Sequence, residues 1–323
     1  MQKIILPEQT PQRLPYYLAA EEWIARHMPS GEYFFAWQVA PTVICGRNQD
    51  VPAEVDIDFC RREGIQLYRR KSGGGAVFAD RNNIMFSYIA PASAVQTAFH
   101  DYTSRVASAL RLLGLDAEAS GRNDITVEGR KVAGNAYWQC AGRSIVHGTM
   151  PYDTDTRLMA GALTPSRAKL ESKKVVSVPS RITTVRAHRP DLSLEHFLAH
   201  VMHHICDDQC VLPPEAAAAI HEIEREYYKE VFASRDSTAD AQRIEGVGSI
   251  GADTRLDHAT GNIASVRLHG DFFALRDVAD AMLSLAGAPP DAAPIAALLG
   301  PDPLVAGMDN HSLATLIAAS ALH

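Results

Sequence analysis

A glycine-rich stretch between two strand-like runs is the feature that most constrains this chain. Residues 67–88 read LYRRKSGGGAVFADRNNIMFSY, in which three cations at residues 69–71 come shortly before three consecutive glycines at residues 73–75. Glycine allows a turn with positive φ and a close approach to a ligand, because it has no Cβ. Main-chain N–H groups in such a turn can form an anion-binding concavity, and neighbouring cations favour a phosphate or carboxylate there. The stretch predicts either a tight hairpin in a strand-rich core or an anion-binding loop.

Several other site motifs are absent from the sequence. There is no GxxxxGK[ST], no GxGxxG opening a helix and no GxSxG elbow. The histidines and cysteines at residues 203–210 share one helical segment and do not form an evident tetrahedral metal set. Cys140 is one of five scattered cysteines, and nothing in the sequence places a base beside it. An odd number of scattered cysteines favours reduced thiols in the cytoplasm over a disulfide framework.

Composition and charge exclude several classes of protein. The chain has 323 residues, 46% of them apolar and 21% charged, which predicts a globular protein with a sizeable core. The net charge of −7 argues against general nucleic-acid binding. No apolar run approaches the roughly 18 residues of a transmembrane helix, and the first residues are too short an apolar run for a signal peptide. We therefore expect a cytoplasmic protein that binds neither membranes nor nucleic acid.

Hydrophobic periodicity and turn signals predict an α+β fold. The predicted helices cover residues 15–28, 56–62, 93–113, 154–160, 194–205 and 213–232. The predicted strands cover residues 33–39, 42–45 and 143–150, with one hairpin at 125–135 and the glycine-rich hairpin at 67–89. A polar linker at 234–242 precedes a meander at 246–273 and two or three helices. We therefore predict a large α+β domain over residues 1–240 and a small one over residues 241–323.

Five polar or aromatic positions outside the glycines are candidates for chemistry. Lys131 lies mid-strand, where it either faces solvent or turns inward as a movable cation for phosphate and carbonyl oxygens. Asn123 and Asp124 precede that strand. They either form a turn or take part in binding, with the amide reading an adenine edge and the carboxylate holding Mg²⁺. His147 is compatible with a purely structural role. Trp37 belongs to the core or to the wall of an apolar ligand tunnel.

Taken together, several segments resemble the lipoate–protein ligase A family. They follow one another in the family's order and spacing: WQVAPTVICGRNQD at 37–50, RRKSGGGAVFADRNN at 69–83, GRNDITVEGRKVAGNA at 121–136, HGTM at 147–150 and KKVVSVPSRITTV at 173–185. Residues 246–273 are similar to the accessory domain of that family. The resemblance spans nearly the whole chain. It implies a class-II-synthetase and biotin-ligase type of fold, in which helices flank a mixed sheet, with a small α+β accessory domain at the C-terminal end.

The resemblance also implies an activity. Lipoate would be activated with MgATP to lipoyl-AMP, pyrophosphate would be released, and the lipoyl group would pass to a lysine of a lipoyl domain. The acceptors would be 2-oxoacid dehydrogenase E2 subunits and the glycine cleavage H protein, and we expect the enzyme to be a monomer. The rival activities are an ATP-independent octanoyl transferase of the same fold, with a cysteine nucleophile or a Lys/Cys pair, and a non-catalytic lipoate or lipoyl-adenylate sensor.

The same resemblance assigns roles to individual residues. Lys131 would be catalytic, stabilising charge on the α-phosphate and the lipoyl carbonyl. Arg70 would hold the nucleotide phosphates and the acyl carboxylate. The nucleotide site would be lined by Gly75, Ala76, Val77, Phe78, Asn83, Asn123 and Asp124, with Asp124 also holding Mg²⁺. The lipoyl tunnel would be bordered by Trp37, Gly74 and His147.

Three positions depart from the family pattern. Ala79 stands where His is common, Ala133 stands where Ser is common, and Pro179 replaces a commoner basic residue in the loop at 169–181. Neither Ala79 nor Ala133 is assigned the main charge, whereas Pro179 is expected to alter this adenylate-binding loop. The intact GRND segment at 121–124 and the appended small domain favour the ligase over the octanoyl transferase.

Overall fold

The structure is a computed structural model that describes residues 1–120, 123–164, 182–228 and 241–321. The chain divides into two compact units. The first consists of Met1–Cys45, Pro52–Arg70 and Ala76–Ala233, and the second of Gly46–Val51, Lys71–Gly75 and Ser234–His323. The glycine-rich loop is therefore split, because its centre belongs to the second unit.

The first unit is built on two sheets. Its strands are β1 (Gln2–Ile5), β2 (Tyr33–Trp37), β3 (Thr42–Cys45), β4 (Gln66–Arg69), β5 (Val77–Ala79), β6 (Asn83–Pro91), β7 (Ala117–Ser120), β8 (Asp124–Val127), β9 (Arg130–Cys140), β10 (Arg143–Pro151) and β11 (Asp208–Val211). The large sheet has eight strands in the order β11-β1-β2-β6-β10-β9-β8-β7, and the small sheet has the order β4-β3-β5. In the large sheet β1 runs parallel to both neighbours and the other pairs are antiparallel.

Helices cover both faces of the large sheet. The helices of the chain up to residue 228 are α1 (Leu14–His27), α2 (Val51–Glu54), α3 (Ile57–Arg62), α4 (Val95–Leu112), α5 (Thr156–Ala162), α6 (Val185–His188), α7 (Leu194–Ile205) and α8 (Ala216–Tyr227). Side chains alternate across a strand, so β2 turns Phe35 and Trp37 into the core that includes α1 and α8. On the opposite face its Phe34 packs against Tyr102 of α4, and α7 contacts both α4 and β2. The sheet is therefore buried between two helical layers.

The second unit has its own sheet and its own core. Its elements are β12 (Gln242–Ile244), β13 (Gly248–Leu256), β14 (Ile263–Gly270), α9 (Val278–Leu283), α10 (Ala292–Leu299) and α11 (Asn310–Ser320). The strands are antiparallel in the order β12-β13-β14. Apolar residues of the sheet and the helices, such as Ile250, Phe272 and Leu313, form the buried core. β14 lies at one end of this order.

The elements confirm most of the predicted secondary structure. The α+β class, the helix at 194–205 and three C-terminal helices are all present. The hairpin between β8 and β9 turns at Glu128 and Gly129, with φ of 50° and 73°, as a two-residue turn requires. The prediction missed β1, β7 and β11, which are short. No helix in the described ranges has both the length and the apolar content needed to cross a bilayer.

The glycine-rich hairpin was predicted wrongly. β4 and β5, which flank the glycines, do not pair with each other: both pair with β3, one in parallel and one antiparallel. The next strand, β6, belongs to the large sheet. A glycine run signals a turn but does not specify which strands it joins. Most of the predicted linker, residues 234–240, lies outside the described residues, and the domain boundary at residue 240 stays a prediction.

Candidate active site

Lys131 on β9 turns toward a carboxylate. Its Nζ lies 2.7 Å from Asp124 Oδ1, and 22% of its side chain is exposed. The lysine stem lies over Gly134, because a Cβ added to this glycine would be 2.3 Å from Nζ and 2.5 Å from Cε. Only glycine leaves the space for this arrangement. The sequence left two orientations open for the Lys131 side chain, one facing solvent and one turned inward. The structure shows the inward orientation.

The main chain of Lys131 also holds a distant segment. Thr183 N–H donates to Lys131 O over 2.8 Å, and Lys131 forms a parallel bridge with Ile182. Thr183 is buried. The described end of the family segment at 173–185 is thus attached beside Lys131. Residues 165–181, including Pro179 and the predicted adenylate-binding loop at 169–181, lie outside the described residues.

Two asparagines hydrogen-bond to each other at the residue that precedes Asp124. Asn123 Nδ2 donates to Asn135 O over 2.5 Å, while Asn135 Nδ2 and N–H donate to Asn123 O over 2.8 and 3.1 Å. Asn135 is buried, and a Cβ added to Gly148 would lie 1.8 Å from its Oδ1. These bonds hold the start of β8 against β9. Asn135 was not among the predicted site residues, and its position in the segment at 121–136 was the only signal for it.

Trp37 and His147 share a buried hydrogen-bond network. Trp37 Nε1 donates to Ser87 Oγ over 2.8 Å, and Ser87 Oγ donates to Glu21 Oε1 over 2.5 Å. His147 Nδ1 lies 2.7 Å from Glu21 Oε2. With Glu21 as the acceptor, the proton of the imidazole is on Nδ1. The ring of Tyr17 stacks on Trp37 at 4.8 Å. The network joins two of the three residues predicted for the lipoyl tunnel.

Glu21 and Ser87 were missed by the sequence reasoning. Glu21 and Glu22 interrupt the apolar face of α1 between Leu18 and Ile24, and both are buried. An acidic residue on the buried stripe of an amphipathic helix requires a polar partner in the core. That signal was present in the sequence. The identity of the partners was not, because Ser87 and His147 lie 66 and 126 residues away from Glu21.

Arg70 is a buried cation at the end of the small sheet. It is 5% exposed, and its Nη1 donates to Ile44 O over 2.9 Å. Its N–H donates to Cys45 O over 2.9 Å, so the backbone continues the pairing of β4 with β3. Burial lowers the pKa of the Arg70 guanidinium to about 10. The side chain therefore stays charged at neutral pH.

Asn83 ties the small sheet to the large one. Its Nδ2 donates to Phe78 O over 3.1 Å, and its Oδ1 accepts from Met150 N–H over 3.0 Å. Phe78 is buried, while Ala76 and Val77 are partly exposed. The amide of Asn83 thus holds the end of β5, where the predicted nucleotide-binding residues lie. The departures from the family pattern, Ala79 and Ala133, are both buried.

The predicted residues Gly74 and Gly75 belong to the second unit. Gly74 has φ of +88°, and its N–H donates to Phe272 O over 3.4 Å. A Cβ added to Gly73 would lie 2.2 Å from the same oxygen. Arg47 N–H donates to Ser72 O over 2.9 Å. Glycine is therefore needed in this run because its main chain lies close to the main chain of Phe272 within this unit.

Three of the five cysteines are poorly suited to act as a nucleophile. All five are free thiols. Burial raises the pKa of Cys45 and of Cys206 to about 11, and it also raises the pKa of Cys60. A thiol that stays protonated at neutral pH is a poor nucleophile. In the described residues no group of three or more His, Cys, Asp or Glu side chains could hold a metal ion.

The fold is similar to that of solved lipoate ligases. A lipoate-bound LipL1 of Plasmodium falciparum matches with a TM-score of 0.72 and 17% identity, over 92% of this chain and 93% of that one. A bipartite lipoate protein ligase of Thermoplasma acidophilum, studied with its E2 lipoyl domain, matches with a TM-score of 0.63 and 24% identity, over 74% and 98%. The fold is therefore that of the lipoate protein ligases, with a C-terminal accessory domain.

Sequence comparison then gives the family. The sequence-family model described as lipoyl protein ligase A/B catalytic domain matches residues 14–206 of this chain. A probable lipoate-protein ligase A of Mycoplasma pneumoniae is 31% identical over 306 residues, 90% of each chain. The lipoate-protein ligase LplJ of Bacillus subtilis is 34% identical over 279 residues, 81% of this chain and 83% of the relative. The chain belongs to the lipoate–protein ligase A family, and it is an enzyme of the ligase type.

Proposed function

We propose that this enzyme activates lipoate with ATP to lipoyl-AMP and then transfers the lipoyl group to a lysine of a lipoyl domain. The observation that carries the proposal is the inward Lys131, whose ammonium lies 2.7 Å from Asp124 on the neighbouring strand. Adenylation brings a carboxylate and a triphosphate within bonding distance. Positive charge held in place offsets their repulsion, and holding both reactants lowers the entropic barrier.

In the first half-reaction a carboxylate oxygen of lipoate attacks the α-phosphorus, and pyrophosphate leaves with the electrons of the P–O bond that breaks. Lys131 is suited to stabilise this step, because an ammonium on a flexible stem can leave Asp124 for a phosphate oxygen. Arg70 is a second cation, and its burial keeps its position fixed. We assign it to the nucleotide phosphates and the acyl carboxylate.

Mg²⁺ fits the groups that are present. Proteins hold this ion through one or two carboxylates together with substrate phosphates and water, rather than in an all-protein cage. Asp124 supplies one carboxylate, and the asparagine bonds to Asn123 hold it in place. When bound, the ion would neutralise charge on the phosphates. Movement of Lys131 to the α-phosphate would leave the Asp124 carboxylate available to it.

In the second half-reaction the amine of the acceptor lysine attacks the carbonyl carbon of lipoyl-AMP. A C–N bond forms, AMP leaves with the electrons of the C–O bond that breaks, and the amine proton passes to water. Negative charge develops on the carbonyl oxygen, and the Lys131 ammonium can stabilise it there. One movable cation thus serves both half-reactions, which is why we assign the main catalytic role to Lys131.

The remaining residues are assigned to binding. Trp37 and His147 would border the lipoyl tunnel, with the indole as its apolar wall and the buried Glu21 network holding both rings. The nucleotide would contact Ala76, Val77, Phe78 and Asn123, with Asn83 holding the strand end beneath them. Resemblance to the family adds Gly74 to the lipoate-binding residues and Gly75 to the nucleotide-binding residues.

The relatives support the substrates and the partner. A lipoate-protein ligase A bound with ATP matches this chain with a TM-score of 0.61 and 23% identity. The Thermoplasma enzyme was studied with its E2 lipoyl domain. We propose ATP and lipoate as substrates, and lipoyl domains of 2-oxoacid dehydrogenase E2 subunits and the glycine cleavage H protein as acceptors. We further propose a monomer, and we propose a location in the cytoplasm, which the five free cysteines support.

Mass spectrometry of a lipoyl domain tests this function. The domain is incubated with enzyme, MgATP and lipoate, and pyrophosphate is measured in parallel. We expect one lipoyl addition and release of pyrophosphate that depends on both ATP and lipoate. Addition without ATP from an octanoyl carrier would instead identify an acyltransferase. Thermal stabilisation by lipoate and ATP without any addition would identify a sensor. Replacing lipoate with octanoate measures the acyl-chain preference.

A further inference from the structure

One face of the large sheet is turned toward α1. Directly opposite residues of antiparallel strands share a face, and so do residues two apart in one strand. His147 on β10 pairs with Ser87 on β6, and both contact Glu21 of α1. Trp37 on β2 pairs with Met85, which comes two residues before Ser87. We call the face that carries these four strand residues the α1 face. Both residues of this unit that we assign to the lipoyl tunnel, Trp37 and His147, therefore lie on it.

Thr149 lies on the α1 face between these tunnel residues and Lys131. It follows His147 by two residues, and its cross-strand partners are Met85 on β6 and Gly134 on β9. Directly opposite residues of antiparallel strands have Cβ atoms about 5 Å apart. A Cβ added to Gly134 would in turn be 2.3 Å from Lys131 Nζ. The side chain of Thr149 is therefore next to the Lys131 ammonium on one side and next to Met85 on the other.

The hydroxyl of Thr149 has no structural partner in the part of the chain that the structure describes. Thr149 is 8% exposed, and its Oγ1 makes no hydrogen bond to a described residue. Other buried threonines do use this group: Thr42 Oγ1 donates to Ala40 O and Thr103 Oγ1 to Phe99 O, each over 2.7 Å. Burying a hydroxyl without a partner is costly, and valine has nearly the same shape without that cost. The hydroxyl of Thr149 is therefore suited to contact a bound molecule.

We propose that the Thr149 hydroxyl binds the carboxyl group of the acyl substrate. An acyl chain bordered by Trp37 and His147 would reach Lys131 past Thr149, so its carboxyl group would lie against this hydroxyl. The hydroxyl would donate to the carboxylate oxygen that does not attack phosphorus. That oxygen becomes the carbonyl oxygen of lipoyl-AMP and gains negative charge when the acceptor amine attacks, so one hydrogen bond would serve both half-reactions. This inference rests on the proposed function, because it assigns a contact within that site.

Thr149→Val tests the contact directly, because it removes the hydroxyl and keeps a β-branched side chain that suits a strand. Pyrophosphate release is measured with lipoate and with octanoate, and octanoate is measured as a competitor of lipoate if it is not turned over. We expect kcat/KM to fall about tenfold to 100-fold, because a hydrogen bond to a charged group is lost. The binding of both acids should weaken by the same factor, because they share the carboxyl group and differ only in the chain.

Two further variants separate the hydroxyl from the shape of the side chain. Thr149→Ser keeps the hydroxyl and should retain most of the activity that Thr149→Val loses. Thr103→Val is the matched control, because it removes a buried hydroxyl that bonds within α4 on the opposite face of the sheet, and its activity should equal that of the wild type. In single-turnover transfer from supplied lipoyl-AMP to a lipoyl domain, Thr149→Val should again be slower than Thr149→Ser.

Three results would overturn the assignment of Thr149. An unchanged kcat/KM in Thr149→Val would mean that the hydroxyl contacts nothing in the reaction. An equal loss in Thr149→Ser would mean that the shape of the side chain matters and the hydroxyl does not. A loss for lipoate alone would place the side chain against the acyl chain instead of the carboxyl group. A wild-type enzyme that releases no pyrophosphate overturns the proposed function instead, which is a distinguishable result.

Discussion

Gly134→Ala should displace the Lys131 ammonium, to which we assign the main catalytic role, without removing it. The new methyl carbon would lie 2.3 Å from Lys131 Nζ and 2.5 Å from Cε, where carbon atoms normally approach no closer than about 3.5 Å. The ammonium would therefore move by about 1 Å, away from its position 2.7 Å from Asp124 Oδ1. A displacement of this size can cost about 100-fold in rate, which corresponds to about 2.7 kcal/mol of transition-state stabilisation. We expect kcat for adenylation to fall by that factor.

The stability of the same variant should hardly change. The clash falls on the end of a flexible side chain, and Gly134 is not among the glycines with positive φ. Alanine in place of glycine also restricts the unfolded chain. We therefore expect a Tm equal to or slightly above that of the wild type. Gly31→Ala is the matched control, because the nearest atom to its added Cβ is 3.4 Å away and neither Tm nor rate should change appreciably.

A double-mutant cycle tests whether displacement of Lys131 causes the lower adenylation rate of Gly134→Ala. Pyrophosphate release in single-turnover experiments is measured for the wild type, Gly134→Ala, Lys131→Ala and the double variant. Lys131→Ala should lose about 1,000-fold or more with the fold intact, since it removes the charge from both half-reactions. The double variant should be no slower than Lys131→Ala alone, because the methyl group then has no ammonium to displace.

Two results would refute this reasoning. Full activity in Gly134→Ala would mean that the observed position of Lys131 is irrelevant to adenylation. A further 100-fold loss in the double variant would mean that the methyl acts on something other than Lys131. Full activity in Lys131→Ala would refute the catalytic assignment itself.

Three other changes test the binding residues and the fold. Trp37→Phe removes the donor to Ser87 and should raise the KM for lipoate about fivefold to tenfold, with the KM for ATP unchanged in steady-state kinetics. Arg70→Ala should raise the KM for ATP at least tenfold and also lower Tm, because the guanidinium is buried; an unchanged KM would contradict its phosphate role. Hydrogen bonding to Glu8 above all raises the pKa of His221 above 6.5, so its stabilisation is complete below that pH and is lost as pH rises through the folded pKa. The Tm advantage of the wild type over His221→Gln should therefore shrink from pH 6 to 8 in thermal scans, and a constant difference would refute the assignment.

Local sequence signals predicted the part of the site that is local in the chain. The hairpin turn at Glu128 and Gly129 and the alternating pattern on either side set the register of β8 and β9. That register places Asp124 opposite Gly134. The register then shifts between Ile125 and Thr126. The inward direction of Lys131 depended on Gly134, whose role becomes visible only when the lysine stem lies across it.

The parts of the site that come from distant segments could not be predicted in this way. β3 pairs with β4 on one side and with β5 on the other. Neither pairing follows from the apolar pattern of three short strands. The buried hydrogen-bond network joins Glu21, Ser87 and His147 from a helix and two strands. Its only local sign is an acidic pair on the buried face of α1. Pairing over such distances is decided by how the whole sheet packs.

The two cations differ in a way that separates their roles. Arg70 is 5% exposed and donates to a main-chain carbonyl, which cannot move away without breaking the small sheet. Lys131 is 22% exposed, and its partner is a carboxylate that can exchange a cation for a metal ion. Acyl activation and acyl transfer develop charge on different oxygens, so one fixed cation cannot serve both equally well. A movable ammonium can follow the charge, while a buried guanidinium is suited to hold the nucleotide still, which is the role we propose for Arg70. The different roles that we propose for the two cations therefore rest on their burial and their partners.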